Sequence, residues 1–171
     1  AGDSLFDGGA IDASFTGIIK HDVSIRESTI ADNRSGGNAI YISGGRNIEI
    51  IHSTIAKNHI DIDSILNQPS GLGMQGFLII PPKLTISHTI FDHGRERVGR
   101  NCIFVGTITT SFTKNVDRDG SCGFSSFNNL VLVDPILGPL QDNGGQTPTF
   151  VFANPALLDV GVDTGPDCTG V

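Results

Sequence analysis

The sequence predicts an all-β chain wound as a right-handed parallel β-helix, a solenoid of about four or five coils with a loop-rich C-terminal cap. Three observations predict it. The stretch 23–33 recurs 25 residues later as 48–58, with Val23/Ile48, Ile25/Ile50, Ser28/Ser53, Thr29/Thr54, Ile30/Ile55, Ala31/Ala56 and Asn33/Asn58 in register. A looser copy begins at Leu84; kept gap-free, it sets Leu84, Ile86, Thr89, Phe91 and Gly94 beneath Ile48, Ile50, Ser53, Ile55 and Asn58. Each copy opens with alternating, largely β-branched aliphatic residues, which is the period of a strand and not of a helix. A leucine-rich repeat has a similar period, but its leucine and asparagine pattern is missing.

The elements follow in order. Gly8-Gly9-Ala10-Ile11 returns as Gly36-Gly37-Asn38-Ala39-Ile40, so each unit reads as a glycine corner, a short strand, a turn and a second strand. Residues 1–22 make the first coil, with no polar capping helix read ahead of it. Residues 23–58 hold the two clean copies, and Asn33 and Asn58 then share one corner as an asparagine ladder. An insertion over 59–83 stretches the next period to 36 residues. Within it 59–63 alternates as a strand, 67–73 reads as a loop, and 77–80 reads as a short apolar strand ended by Pro81-Pro82. Further strands are expected over 101–105 and 107–112. Residues 1–116 are thus assigned to the coils, and 117–171 to a cap lying over the last of them.

Composition narrows the partners. A chain of 171 residues is one domain by size, and 22 glycines with no tryptophan, one tyrosine and one methionine suit a turn-rich solenoid. The formal net charge is −7 and the 11 basic residues are scattered, locally dense only over 95–100. Nucleic acid and anionic membranes are therefore not expected partners. No apolar run reaches about 18 residues, so no transmembrane helix is expected. The chain starts at Ala1 without an initiator methionine, which fits a processed secreted protein or an excised fragment. In an oxidising compartment Cys102 and Cys122 are expected to pair, closing a loop of about 20 residues worth roughly 3 kcal/mol. Cys168 would then be free or paired outside this sequence; three reduced thiols is the alternative.

The chemistry-bearing residues are few. On the coils, Glu27, His52 and His88 fall at one position. Imidazole and carboxylate suit zinc or copper there, and an exposed ladder of compatible charges accounts for the same residues. With Arg46 and Glu49 they outline a polar face that could take a glycan. Asp61 and Asp63 form the one close carboxylate pair there, inside the insertion, where charge on a strand edge explains it as well. Asn115-Val-Asp117-Arg-Asp119-Gly120 matches the opening of a calcium loop, although Ser126 stands where its bidentate glutamate belongs. A tight turn held by Cys122 explains the same residues. No Gly-x-Ser-x-Gly elbow and no phosphate loop occurs, and Asn33-Arg34-Ser35 is a formal N-glycosylation sequon.

The segment Asp134-Pro-Ile-Leu-Gly-Pro-Leu-Gln-Asp-Asn-Gly-Gly-Gln-Thr-Pro-Thr149, followed by Asn154-Pro-Ala-Leu-Leu-Asp-Val-Gly161, resembles the closing segment of the bacterial secreted parallel β-helix proteins of the choice-of-anchor type Q family. Asn101-Cys102 and the run from Ser111 through Asn115-Val-Asp-Arg-Asp-Gly-Ser-Cys122 look like that family's cysteine, asparagine and Asp-Gly-Ser-Cys stretch. The Ser-Thr-Ile-Ala-x-Asn copies resemble its coils. The resemblance implies a β-helix in a secreted, extracellular or cell-surface setting, and carries no common catalytic activity with it.

Two functions follow as expectations. The first is a non-enzymatic surface, matrix or filament subunit that self-associates head to tail through its solenoid ends, with segment 1–7 free to enter a neighbour by strand addition. The second is a carbohydrate-binding or polysaccharide-degrading module using the face of Glu27, Arg46, Glu49, His52 and His88. It ranks lower because sugar-stacking aromatics are scarce.

Overall fold

The computed structural model describes residues 8–15, 21–35, 37–60, 69–76, 80–93, 100–145 and 147–154. Among them the chain is all-β, built from β1 (Gly8–Ser14), β2 (Asp22–Arg26), β3 (Thr29–Ala31), β4 (Arg34–Ser35), β5 (Asn38–Ser43), β6 (Asn47–Ile51), β7 (Thr54–Ala56), β8 (His59–Ile60), β9 (Pro69–Gln75), β10 (Lys83–Ser87), β11 (Ile90–Asp92), β12 (Arg100–Val105), β13 (Thr109–Thr113), β14 (Val116–Asp117), β15 (Leu130–Val131), β16 (Leu137–Gln141) and β17 (Thr149–Phe152).

Three parallel sheets take these strands in chain order. The first sheet runs β1-β5-β9-β12, the second β2-β6-β10-β13, and the third β3-β7-β11-β14-β15. Each successive stretch of chain therefore lays one strand on each sheet, and we call each such stretch a layer. The repeated residues sit directly over one another: Val23, Ile48 and Leu84 are register partners, as are Ile25, Ile50 and Ile86. Ile30, Ile55 and Phe91 align in the third sheet. The longer insertion before β10 leaves this register unchanged, because a one-residue slip would turn every apolar side chain outward.

The side chains of all three sheets share one core. Ile40 and Ile42 from the first sheet, Ile48, Ile50, Leu84 and Ile86 from the second, and Ile55 and Phe91 from the third are at most 1% exposed. Burial of each is worth about 1.5–3 kcal/mol. The two ends of this column differ. At the C-terminal end Phe124 packs edge-on against Phe91 and Phe112, at 5.9 and 4.8 Å between ring centroids, and closes the column. In the first layer the corresponding residues Ile11, Ala13, Val23 and Ile30 are only half-buried.

Where the chain bends from the second sheet to the third, the backbone leaves the regular ladder, and side chains of the next layer accept the N–H groups. Ser28 N–H donates to Ser53 Oγ (3.3 Å), Thr89 N–H to Asn115 Oδ1 (3.1 Å) and Asn115 N–H to Asn129 Oδ1 (3.0 Å). At the following bend Asn33 N–H donates to Asn58 Oδ1 (3.1 Å), and Asn33 Nδ2 reaches the same atom at 2.9 Å. Just before the first of these bends, Glu27, His52, His88 and Lys114 all take left-handed backbone angles, φ 49° to 55°. That conformation costs roughly 1 kcal/mol for a residue with a Cβ.

Sequence expectation and structure differ at three places. Residues 69–73, expected in a loop over 67–73, belong to strand β9, which pairs with β5 and β12. Its glycines mark close approach and not a turn: a Cβ on Gly71 would lie 2.3 Å from the Asn101 carbonyl oxygen, and one on Gly73 would lie 2.4 Å from Asn38 Oδ1. Ile80, expected at the end of a strand, lies in a bend. The expected boundary at 116/117 falls inside β14, and β15 adds a fifth strand to the third sheet. The antiparallel hairpin β16–β17 then packs Phe152 on the outward residues Ile90 and Val116 of that sheet. The C-terminal part thus covers a side face of the stack as well as its end. Asp61, Asp63, Gly94, Cys168 and segment 1–7 lie outside the described residues.

The unequal ends predict unequal mutational costs. Ile50→Ala should lower the unfolding free energy by about 2–5 kcal/mol. Val23→Ala, in the half-covered first layer of the dilute protein, should cost under about 1.5 kcal/mol. Urea titration of the two variants checks this.

Candidate functional site

The polar face outlined in the sequence divides in two. Glu49 lies on the outward side of the second sheet, where Arg26 NH2 meets its Oε2 at 2.6 Å. Arg46, at the bend leading into β6, is paired with Asp22, NH2 to Oδ2 at 2.9 Å. The exposed Asp22 carboxyl is held below the usual range first by the hydrogen bond from Arg46, and Arg46 is raised in turn by Asp22. Asp22, Val23, Ser24, Asn47, Glu49, Lys83 and Thr85 line a shallow groove of about 320 Å³ on this face. Glu27, His52 and His88 instead stand at the bend toward the third sheet, where the His52 and His88 rings meet edge to face at 4.8 Å. Glu27 lines a different cleft. The five glycan-face residues therefore do not converge on one groove.

The calcium-loop residues also have separate jobs. Asn115 Oδ1 accepts from Thr89 N–H, and its Nδ2 donates to Asn129 Oδ1 and the Ile86 carbonyl. Asp117 is fully buried; Asn101 Nδ2 donates to its Oδ1 and Cys122 N–H to its Oδ2, both at 2.8 Å. Asp119 Oδ1 accepts from Ser121 N–H and Oγ, and its Oδ2 accepts from Asn101 N–H at 3.0 Å. Each oxygen is used by a protein donor. Among the described residues no three His, Cys, Asp or Glu side chains are arranged to hold a metal ion.

What the geometry assembles is a carboxyl pair beside a disulfide, Asp117 buried and Asp119 partly buried. Cys102 and Cys122 are bonded across 20 residues, and Cys102 N–H donates to Ser121 Oγ (3.0 Å). His93 N–H donates to Asn101 Oδ1 (2.9 Å), and its Nδ1 is 3.8 Å from Asp119 Oδ2. Burial pushes Asp117 up to about 6, with Asp119 adding to the rise while Asn101 and the Cys122 N–H oppose it. Burial acts against ionisation of Asp119 too, but its bonds from Ser121 and from Asn101 N–H hold it below the usual range. The pair thus keeps one proton into mildly acidic pH, on Asp117. Asn101 and Ser121 entered the sequence reading only within the stretches that carry the family resemblance, and His93 was given no role. His93 sits one layer below Asp119 in register, so the third copy carried the signal without naming a role.

The sequon is engaged internally. Asn33 Nδ2 is spent on Asn58 Oδ1 and the Ala31 carbonyl. No helix of the described residues is long and apolar enough to cross a membrane.

Because Asp117 holds its proton to about pH 6 when folded and loses it near 3.8 when unfolded, the folded state binds the extra proton between those values. Stability should therefore fall as pH rises from about 4 to 6, by up to about 3 kcal/mol, and level off above. Asp117→Asn removes the titrating proton and should flatten that limb while lowering stability at every pH, because its NH2 replaces an oxygen that accepts from Asn101 Nδ2 or from Cys122 N–H; chemical denaturation at stepped pH reads it.

Comparison with protein-family models, with curated proteins and with solved structures gives no match for this chain.

Proposed function

We propose that the three parallel sheets are the faces of a right-handed parallel β-helix, and that the chain is a non-enzymatic structural module of a secreted, extracellular or cell-surface protein. We place it with the bacterial choice-of-anchor type Q proteins on the sequence resemblance alone. Right-handedness follows the strong rule for crossovers between parallel strands. In this reading the module works as a surface, matrix or filament subunit through head-to-tail contacts between solenoid ends.

One observation carries the proposal: the first layer is built like an interior layer. It carries the same inward residues as the layers above it, yet Ile11, Ala13, Val23 and Ile30 are only partly buried, while Ile25 is buried. Strands β1, β2 and β3 are edges among the described residues. Ser28 Oγ and Asn33 Oδ1 hold the positions at which Ser53, Asn115 and Asn129, and Asn58, accept an N–H from the layer before. Among the described residues neither accepts one. An edge of this kind is a template for another strand layer.

The groove over Glu49 favours a second reading, a carbohydrate-binding or polysaccharide-degrading surface. Its carboxylates are tied to Arg26 and Arg46, and no aromatic ring lines it. It ranks second for that reason.

Negative-stain microscopy over a concentration series should show fibres or end-joined particles. Glu27 N–H donates to the Ile51 carbonyl, so by the alternation of a parallel ladder Ser24 and Arg26 aim their N–H groups at the open edge. Ser24→Pro should suppress assembly while leaving the melting temperature of the dilute protein nearly unchanged. Monodisperse wild-type particles at every concentration would remove the filament reading, and depolymerisation of a screened glycan would install the second one.

A further inference from the structure

Residues 132–136 carry the chain from the third sheet into the hairpin β16–β17, and they do so under strain. Leu132 and Ile136 both hold left-handed backbone angles, φ 62° and 51°. That region is unfavourable for any residue with a Cβ, and most of all for a β-branched one such as Ile136. Between the two lies Asp134-Pro135, a peptide bond with a chemical weakness. Its nitrogen belongs to a tertiary amide, which leaves more readily than an ordinary amide once it takes a proton. Its carbonyl carbon is also within ring-closing reach of the aspartate's own carboxyl.

Three contacts prepare that bond. Ile136 N–H donates to Asp134 Oδ1 (2.8 Å), which folds the carboxyl back over the Asp134–Pro135 peptide. Arg118 NH2 stands 3.6 Å from Asp134 Oδ2, while its NH1 is tied at 3.0 Å to the buried Asp92, so the guanidinium is a fixed stop for the other carboxyl oxygen. Asn154 Nδ2 donates to the Asp134 carbonyl oxygen at 2.7 Å. Strand β17 delivers Asn154 there, since Leu137 and Phe152 are register partners and Ala153 N–H donates to the Ile136 carbonyl. Phe152 in turn packs on Ile90 and Val116. The amide donor therefore arrives only when the hairpin is folded on the stack.

We infer that Asp134–Pro135 is a self-cleavage site, at which the folded chain cuts itself between the stack and the hairpin. The Asp134 carboxylate adds to its own carbonyl carbon, and negative charge moves onto the carbonyl oxygen that faces Asn154 Nδ2. A fixed N–H donor at that atom stabilises the charge as an oxyanion hole does. The new C–O bond stays and the C–N bond to Pro135 breaks. Its electron pair leaves on the proline nitrogen, which takes a proton from solvent. The products are a cyclic anhydride at Asp134 and a secondary amine at Pro135. Water then opens the anhydride to two carboxyl groups, so one water is consumed and nothing is oxidised or reduced. The cut frees Ile136 from its left-handed angle and leaves the hairpin held by Phe152 and by Lys57 Nζ, which donates to the Gly138 carbonyl.

The test is a timed incubation of the whole chain at about pH 4, where Asp117 keeps its proton and folding is favoured, read by intact-mass spectrometry. The same incubation in urea gives the background rate of this bond in an unfolded chain. Fragments 1–134 and 135–171, together heavier than the intact chain by one water, should form at least about tenfold faster in the folded protein. Asn154→Ala should slow the folded reaction by about tenfold or more and leave the rate in urea unchanged. Asp134→Ala should abolish the reaction in both. Cleavage no faster in the folded chain than in urea would overturn the inference, and that comparison stands whatever Asn154→Ala does to stability. An Asn154→Ala variant that unfolds at the wild-type urea concentration and still cuts at the wild-type rate would overturn it too.

Discussion

The structure depends on how its bends satisfy buried N–H groups. A parallel sheet can stack layer on layer indefinitely, but at each bend the backbone leaves the ladder while still close to the core. An N–H left alone there costs about 1–3 kcal/mol. Here the acceptor is a side chain one layer ahead: Ser53 for Ser28, Asn115 for Thr89, Asn129 for Asn115, Asn58 for Asn33 and Asn101 for His93. At these bends the relation points the same way along the chain; ahead of the second sheet it is reversed, Asn47 N–H donating to Asp22 Oδ1 of the layer before. Each layer needs its successor, and the whole stack is polar.

That dependence explains what was legible in the sequence. Asn33 and Asn58 fall 25 residues apart because they hold the same corner of successive layers, where Asn58 Oδ1 accepts from Asn33 N–H and Nδ2, and the aliphatic pairs follow the same spacing. The registers of β2, β6 and β10 were readable from Val23, Ile48 and Leu84 alone. The strand β9 was not. Its glycines and proline imitate loop composition, although Gly71 and Gly73 are there to admit the Asn101 carbonyl and the Asn38 side chain. The cluster of Asn101, Asp117, Asp119 and Ser121 was half legible: the disulfide and the tight turn were visible, but the turn's carboxylates looked like metal ligands. Only the distances show that Asn101 and the neighbouring amides already use their oxygens.

Chemistry is correspondingly confined. Asp117, the group with the largest displaced titration, is fully buried, and its hydrogen-bond partners are structural. The exposed carboxylates of the second sheet are tied to arginines. Satisfied polar groups on the sides, and strand edges at one end among the described residues, direct interest to that end.

The most direct measurement is amide hydrogen exchange, read residue by residue in dilute and concentrated protein. The central claim is that the first layer is an interior layer awaiting a partner. It predicts slow exchange at Ile50 and Ile86 under both conditions, and exchange at Ser24 and Arg26 that is fast in dilute protein and slow in concentrated protein. First-layer amides already protected in the dilute monomer, or still unprotected at the highest concentration, would contradict it.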